Sequence, residues 1–212
     1  LTGADAVVVK ATEGTGFVDT YCDAIIQQAI ANGMPWGFYH FAGDGDAIEE
    51  ATHFVQNAIN YFEHGIPVLD WEGDQSVDWV NKFVAEVYSS THVWPWIYAN
   101  PWRFNQGGVN QNCARWVASY PDVASPTWVQ AQGWYCPAAD GNVVAWQFCS
   151  DGAVNGIAGN VDLDLFYGTK EQWQAYARGD MRPDSGSIDG GANPDGLAVL
   201  ENDTYKVTIE RK

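Results

Sequence analysis

The chain has 212 residues, a net charge of −17 from 27 acidic and 10 basic side chains, and 46% hydrophobic against 17% charged residues. That balance excludes a disordered polymer and leaves enough apolar side chain for the full core of one ordinary domain with a short appendage. It also excludes a nucleic-acid binder, which needs a basic face to neutralise phosphates, and an integral membrane protein, since no apolar run approaches the ~20 residues that cross a bilayer. Eleven Trp, ten Tyr and nine Phe suit either a large core or the apolar faces of sugar rings.

Strand-like and helix-like segments alternate from Ala6 onward. Ala6-Val7-Val8-Val9-Lys10-Ala11 is β-branched and apolar, as a strand buried on both faces should be. Residues 20–32 place Tyr21, Ala24, Ile25, Gln28 and Ala29 on one helical face. Trp36–Phe41 is the next strand, and residues 46–64 form an amphipathic helix with Ala47, Ala51, Phe54, Val55, Ala58 and Phe62 inward. Ile66–Trp71 is a strand with Pro67 near its entrance, and residues 76–89 repeat the helix. Residues 92–98, 114–118, 143–148 and 161–166 read as strands, and residues 169–178 as a closing helix. This rhythm marks parallel βαβ units and an α/β fold of irregular (β/α) barrel, TIM-like type. Seven strands are one short of eight, and the opening Leu1-Thr2-Gly3-Ala4-Asp5 reads as a helix end with a Gly stop. The expectation is therefore that the first strand is missing from this chain and that a gap separates the first visible strand from the last, unless another segment covers that edge.

Residues 1–178 make the barrel unit. Residues 179–195 are rich in Gly, Pro, Ser and Asp and read as a linker. Residues 196–212 carry two short strand-like runs, 197–200 and 205–209, too little for an independent core, and read as the stub of a second module. The four cysteines, Cys22, Cys113, Cys136 and Cys149, have no zinc-type spacing. Cys136 and Cys149 are the favoured disulfide partners, with free buried thiols as the equal alternative.

The most informative stretch is Val68-Leu69-Asp70-Trp71-Glu72. Residues i and i+2 of a strand project to one side, so Asp70 and Glu72 would stand together with Cα atoms roughly 6.6 Å apart. Two carboxylates at a C-terminal strand end can divide acid and charge-stabilising roles. Glu13, Tyr39, Tyr98, Gln147, Asp162 and Asp164 also sit at or near strand ends, and parallel strands would gather them on one rim. Glu13-Gly14-Thr15-Gly16 lacks the Lys-Ser/Thr of a phosphate loop, the four His show no H-E-x-x-H, and no G-x-S-x-G is present. No cofactor or metal is expected.

Residues 8–19 (V-V-K-A-T-E-G-T-G-F-V-D), Trp36–Phe41, Pro67–Glu72, Trp116-Val117-Ala118-Ser119-Tyr120 and Gly159-Asn160-Val161-Asp162-Leu163-Asp164 together resemble family 25 glycoside hydrolases, the N-acetylmuramidase type of lysozyme. The resemblance covers about residues 1–178. It implies hydrolysis of the β-1,4 bond between N-acetylmuramic acid and N-acetylglucosamine in bacterial peptidoglycan by a secreted or phage-released monomer, extracellular or associated with the cell wall. It implies Glu72 as general acid/base, Asp70 as partner carboxylate, Asp162 as an acidic cleft residue, and Tyr39 and Tyr98 around the reacting sugar, with Glu13, Gln147 and Trp116 as further substrate-binding candidates. Retention with help from the substrate's acetamido group follows from the likeness to other acetamido-assisted enzymes. The 196–212 stub then reads as the start of a wall-targeting module. Two rivals are a family 18-like chitinase, whose upstream acidic positions would fall on Val68 and Gly65 and so fail, and a non-catalytic wall-binding module.

Overall fold

A computed structural model describes residues 4–131, 134, 136, 142–155 and 157–183, and the backbone of 197–202. The fold is mixed α/β, built on a curled sheet. Its strands are β1 (Ala6–Glu13), the two-residue β2 (Phe17–Val18), β3 (Trp36–Phe41), β4 (Ile66–Asp70), β5 (Trp96–Ala99), β6 (Arg115–Ala118), β7 (Val143–Gly152), β8 (Val161–Phe166) and β9 (Leu197–Asn202). The helices are α1 (Cys22–Ala31), α2 (Ala47–Ala58), α3 (Val77–Thr91), α4 (Pro101–Phe104), α5 (Trp128–Ala131) and α6 (Lys170–Ala177).

The seven strands and four longer helices expected from periodicity are present. Residues 92–95 are not strand. Helix α3 runs on to Thr91, and His92 adopts the left-handed conformation (φ 60°) with its N–H on Tyr88 O, which ends the helix and delays β5 to Trp96. Helix starts follow local chemistry. Asp46 accepts from the N–H groups of Ile48 and Glu49, Ser76 from that of Trp79, and Thr169 forms a reciprocal box with Gln172.

Neighbours from β1 through β3, β4, β5 and β6 to β7 are parallel, whereas β8 runs antiparallel to β7. The sheet therefore departs from a regular all-parallel (β/α) arrangement where the helical connections thin out. The expected gap between first and last strands is occupied. β9 pairs in parallel with β1 (Ala6↔Val199 to Val9↔Asn202) and antiparallel with β8 (Asp162↔Glu201 to Phe166↔Leu197). Thus the strand read at 197–200 belongs to this sheet, extended to Asn202. Most of the expected linker (184–195) and the run 205–209 lie outside the described residues.

Aromatic residues fill the core. Trp71, Trp96, Trp116, Trp146 and Trp173 are buried, and Trp96, Phe166, Trp173 and Tyr176 form a cluster with centroids 5.2–6.3 Å apart, edge-to-face except for the stacked Trp96–Phe166 pair. Helix α6 is tied to the start of β3 by the Trp173 indole N–H on Trp36 O (3.0 Å). All four cysteines are buried thiols, and the Cys136–Cys149 bridge is not formed. Burial raises the Cys22 thiol to about 12, which keeps it un-ionised and unreactive.

Candidate active site

Strand register decides which predicted residues meet. Phe41, Asp70, Tyr98 and Trp116 are successive lateral partners across β3, β4, β5 and β6. Trp116 continues to Ala145, and two residues on, Gln147 partners Asp164 of β8. Residues in lateral register share a face, and alternation adds Tyr39 on β3 and Asp162 on β8 to that face. Because β8 is antiparallel, its first residues reach the rim formed by the C-terminal ends of β1, β3, β4 and β5. Glu13, Phe41, Asp70, Tyr98, Gln147 and Asp162 thus occupy one end of the sheet.

Asp70 is the last residue of β4 and only 4% exposed, and its carbonyl accepts from Ala42 N–H (2.9 Å). Glu72 lies beyond the strand and is exposed, while Trp71 between them is fully buried. The strand's alternation therefore stops at Asp70, and the position of Glu72 is set by its own segment. That segment is held at three points. The Arg103 guanidinium donates to Glu72 O (2.7 Å) and lies 5.0 Å from the Trp71 ring centroid, Trp71 N–H donates to Tyr98 O, and the Trp71 indole donates to Gln75 O. Arg103 is delivered by α4, whose start is fixed by Pro101 at its first position and Asn100 as cap.

Across the floor, the Tyr98 hydroxyl donates to Gln147 Oε1 (2.7 Å) and stands edge-on to Trp116. Tyr120 donates to the same oxygen. Its hydroxyl is raised to about 12 by burial and the charge of Asp162. The Trp116 indole donates to Asp164 Oδ1 (2.8 Å). Asp164 is fully buried, and burial followed by the negative charge of Asp162 raises its carboxyl well above the ordinary range. Burial and the neighbouring charge thus favour the neutral form of Asp164.

Glu13 forms an ion pair with Lys10 (2.7 Å), whose ammonium also lies 4.8 Å from the Phe41 ring centroid. Tyr39 is buried at 2% exposure, one alternation below the rim. Sequence reasoning missed Lys10, Arg103 and Tyr120. Tyr120 closes one of the motifs quoted above, and Arg103 follows a readable Asn-Pro helix start, but nothing local reveals that Lys10 faces the rim. Among the described residues no group of three His, Cys, Asp or Glu is placed to hold a metal ion, and no helix is long and apolar enough to cross a membrane.

Residues 1–157 match the family model for glycosyl hydrolases family 25. The autolytic lysozyme of Clostridium acetobutylicum is 28% identical over 171 residues, covering 77% of this chain and 49% of that protein. The uncharacterized protein YegX of Escherichia coli K12 is 33% identical over 184 residues, covering 81% of this chain and 62% of its own length. The chain thus spans about half of the first relative and less than two thirds of the second. Among solved structures, the bacterial lysozyme from Streptomyces coelicolor superposes with a TM-score of 0.66 at 26% identity, covering 82% of this chain and 86% of that one. With its motifs, its sheet and a model match over residues 1–157, the chain belongs to family 25 of the glycosyl hydrolases.

Proposed function

We propose that this chain is a lysozyme that hydrolyses the β-1,4 bond between N-acetylmuramic acid and N-acetylglucosamine in peptidoglycan. The observation that carries this reading is the placement of Asp70 at the rim in lateral register with Tyr98, two residues before an exposed Glu72 whose segment Arg103 anchors. The lysozyme names of its relatives support it.

In this reading Glu72 protonates the leaving oxygen and then activates water. Asp70, acceptor-only when ionised, orients the substrate's 2-acetamido group so that its carbonyl oxygen attacks the anomeric carbon, which gives net retention. Tyr39, Tyr98, Trp116, Gln147 and Asp162 shape the site around the reacting sugar, and Glu13 borders it through its pair with Lys10. The exposed Trp102 (67%) next to Arg103 offers a ring face for a neighbouring sugar. The curled sheet acts as an irregular TIM-like barrel of a monomeric protein working outside the cell or at the cell wall. Residues 1–178, completed by β9, are its hydrolytic unit, and 179–195 are the linker that leads to β9.

Release of reducing ends from purified peptidoglycan, with chitin in parallel, tests the reading. Wild type should act on peptidoglycan and not on chitin, and Glu72→Gln should lose at least about a thousandfold in kcat with its melting temperature unchanged. Binding without product release would leave a wall-binding module instead. Inverted anomer as the first product seen by NMR would rule out the acetamido route.

A further inference from the structure

A buried polar chain runs behind the site, on the face of the sheet opposite Asp70. The extra residue in β1 puts Thr12 beside His40, on the side covered by α2 and α3. Thr12 Oγ1 lies 2.8 Å from His40 Nδ1, and His40 Nε2 lies 3.0 Å from Glu50 Oε2. His40 and Glu50 are both fully buried, with the imidazole stacked on Phe83 (5.0 Å) and tilted against Phe54 (5.5 Å). Burial lowers the imidazole's pKa, leaving it neutral, over the opposing pull of Glu50. For Glu50 burial works the other way, but the hydrogen bonds from His40, Gly43 and Gly45 outweigh it and hold the carboxyl below its usual range. The carboxylate accepts, so Nε2–H donates to Glu50 and Nδ1 accepts from Thr12.

The other two donors to Glu50 are the N–H groups of Gly43 (2.8 Å) and Gly45 (2.7 Å), in the loop joining β3 to α2. A Cβ at Gly43 would lie 2.8 Å from the backbone of Gly14, and one at Gly45 would lie 2.8 Å from Glu50 Oε1, so glycine alone permits this approach. The far side of the same loop grips the segment that carries Glu72. Gln75 Nε2 donates to Gly43 O (2.6 Å), the Trp79 indole to Gly45 O (2.9 Å), and Ala42 N–H to Asp70 O. The Trp71 indole donates to Gln75 O (2.9 Å). A buried carboxylate is costly to keep charged, and two of its three donors lie in the loop on which residues 70–79 rest.

We propose that Glu50 is a positioning residue for Glu72: its carboxylate fixes the loop at 42–46, and Gln75 carries that position to the segment 71–76. The inference rests on the reading of Glu72 as the general acid/base. Glu50→Gln preserves shape but turns an NH2 towards a glycine N–H, freeing the loop. A displacement near 1 Å at a reacting group costs on the order of a hundredfold, so kcat should fall about tenfold to a hundredfold with KM within about twofold. Gln75→Ala should produce the same pattern, and the double variant should lose little more than the worse single, because both cut one connection. Ala58→Gly, which loosens α2 away from Glu50, should lower the melting temperature without lowering kcat. Hydrogen exchange should quicken at 71–76 as well as at 42–46 in Glu50→Gln. An unchanged kcat, unchanged exchange at 71–76, multiplicative losses in the double variant, or an equal kcat loss in Ala58→Gly would each overturn the proposal. Absence of hydrolysis by wild type would instead defeat the lysozyme reading, while the exchange measurement would still decide whether Glu50 governs residues 71–76.

Discussion

Lys10 and Glu13 face the same side of the sheet although they stand three residues apart in one strand. The register with β3 slips between Lys10 and Thr12, so Lys10 lies beside Tyr39 and Glu13 beside Phe41. Regular alternation would have put them on opposite faces. The extra residue brings Glu13 onto the face that carries the Lys10 ammonium, and the same slip turns Thr12 towards His40.

This pair has an unequal energetic make-up. The Glu13 side chain is 45% exposed and that of Lys10 only 11%. Glu13→Gln should cost about 0–1 kcal/mol, the range of solvent-screened pairs. Lys10→Met should cost more, because Lys10 also loses its place over Phe41. Thermal melts of both singles and the double check the ranking; equal losses would count against it.

Gln147 is the shared acceptor of two tyrosines. Gln147→Leu should deprive the Tyr98 and Tyr120 hydroxyls of the acceptor they share and cost about 1–3 kcal/mol, whereas Tyr98→Phe, which removes one donor, should cost about 1 kcal/mol. Combining Gln147→Leu with Tyr98→Phe should recover part of the loss. Urea unfolding of the three variants measures this, and strictly additive losses would show that the hydroxyl finds another partner.

Asp164 makes stability depend on pH in the sense opposite to most carboxylates. Its folded pKa is raised by burial and by Asp162, so between the ordinary value of 3.8 and the raised one the folded state holds a proton that the unfolded state has lost. Stability from this group is therefore full at low pH and declines as pH rises through the raised value. Asp164→Asn keeps the acceptor for Trp116 without a titrating proton. It should raise the melting temperature by a few degrees, about 2–4 °C per kcal/mol gained, at pH 8 and change it little at pH 4. A gain that is the same at both pH values would refute the assignment.

His40 and Glu50 act in the contrary direction. Both folded pKa values lie below their ordinary values of 6.5 and 4.5. Their contribution is present above those values and is lost as pH falls through the depressed ones. Wild-type melting temperature should therefore drop on acidification below about pH 6.5, first through His40 and then through Glu50. His40→Asn should flatten the upper part of that decline, and an unaltered profile would exclude the imidazole as its source.

β9 sits between β8 and β1, so both of its edges are hydrogen-bonded. Val199→Pro removes a backbone donor inside the sheet and should cost about 1–3 kcal/mol, or about 2–12 °C in melting temperature. A melt unchanged by this substitution would mean that the sheet does not depend on β9.

Local chemistry accounts for much of what could be read from residue order. The spacing of apolar side chains yields the seven strands and the four longer helices, because periods of 2 and 3.6 are properties of short windows. Caps such as Asp46, Ser76 and Thr169 mark helix starts for the same reason. The D-x-E at Asp70 and Glu72, and the motifs that resemble family 25, are also contiguous in sequence. What the tertiary structure decided is non-local. Lateral register alone shows that Asp70, Tyr98 and Trp116 form one row. A slip against β3 turns Glu13 onto the face of Lys10, and α2 brings a charged Glu50 onto His40 behind the site. β9, far along the chain, takes the place expected to be vacant beside β1. These outcomes depend on which edges need partners and which polar groups are deprived of water, and both are settled only when distant segments pack together.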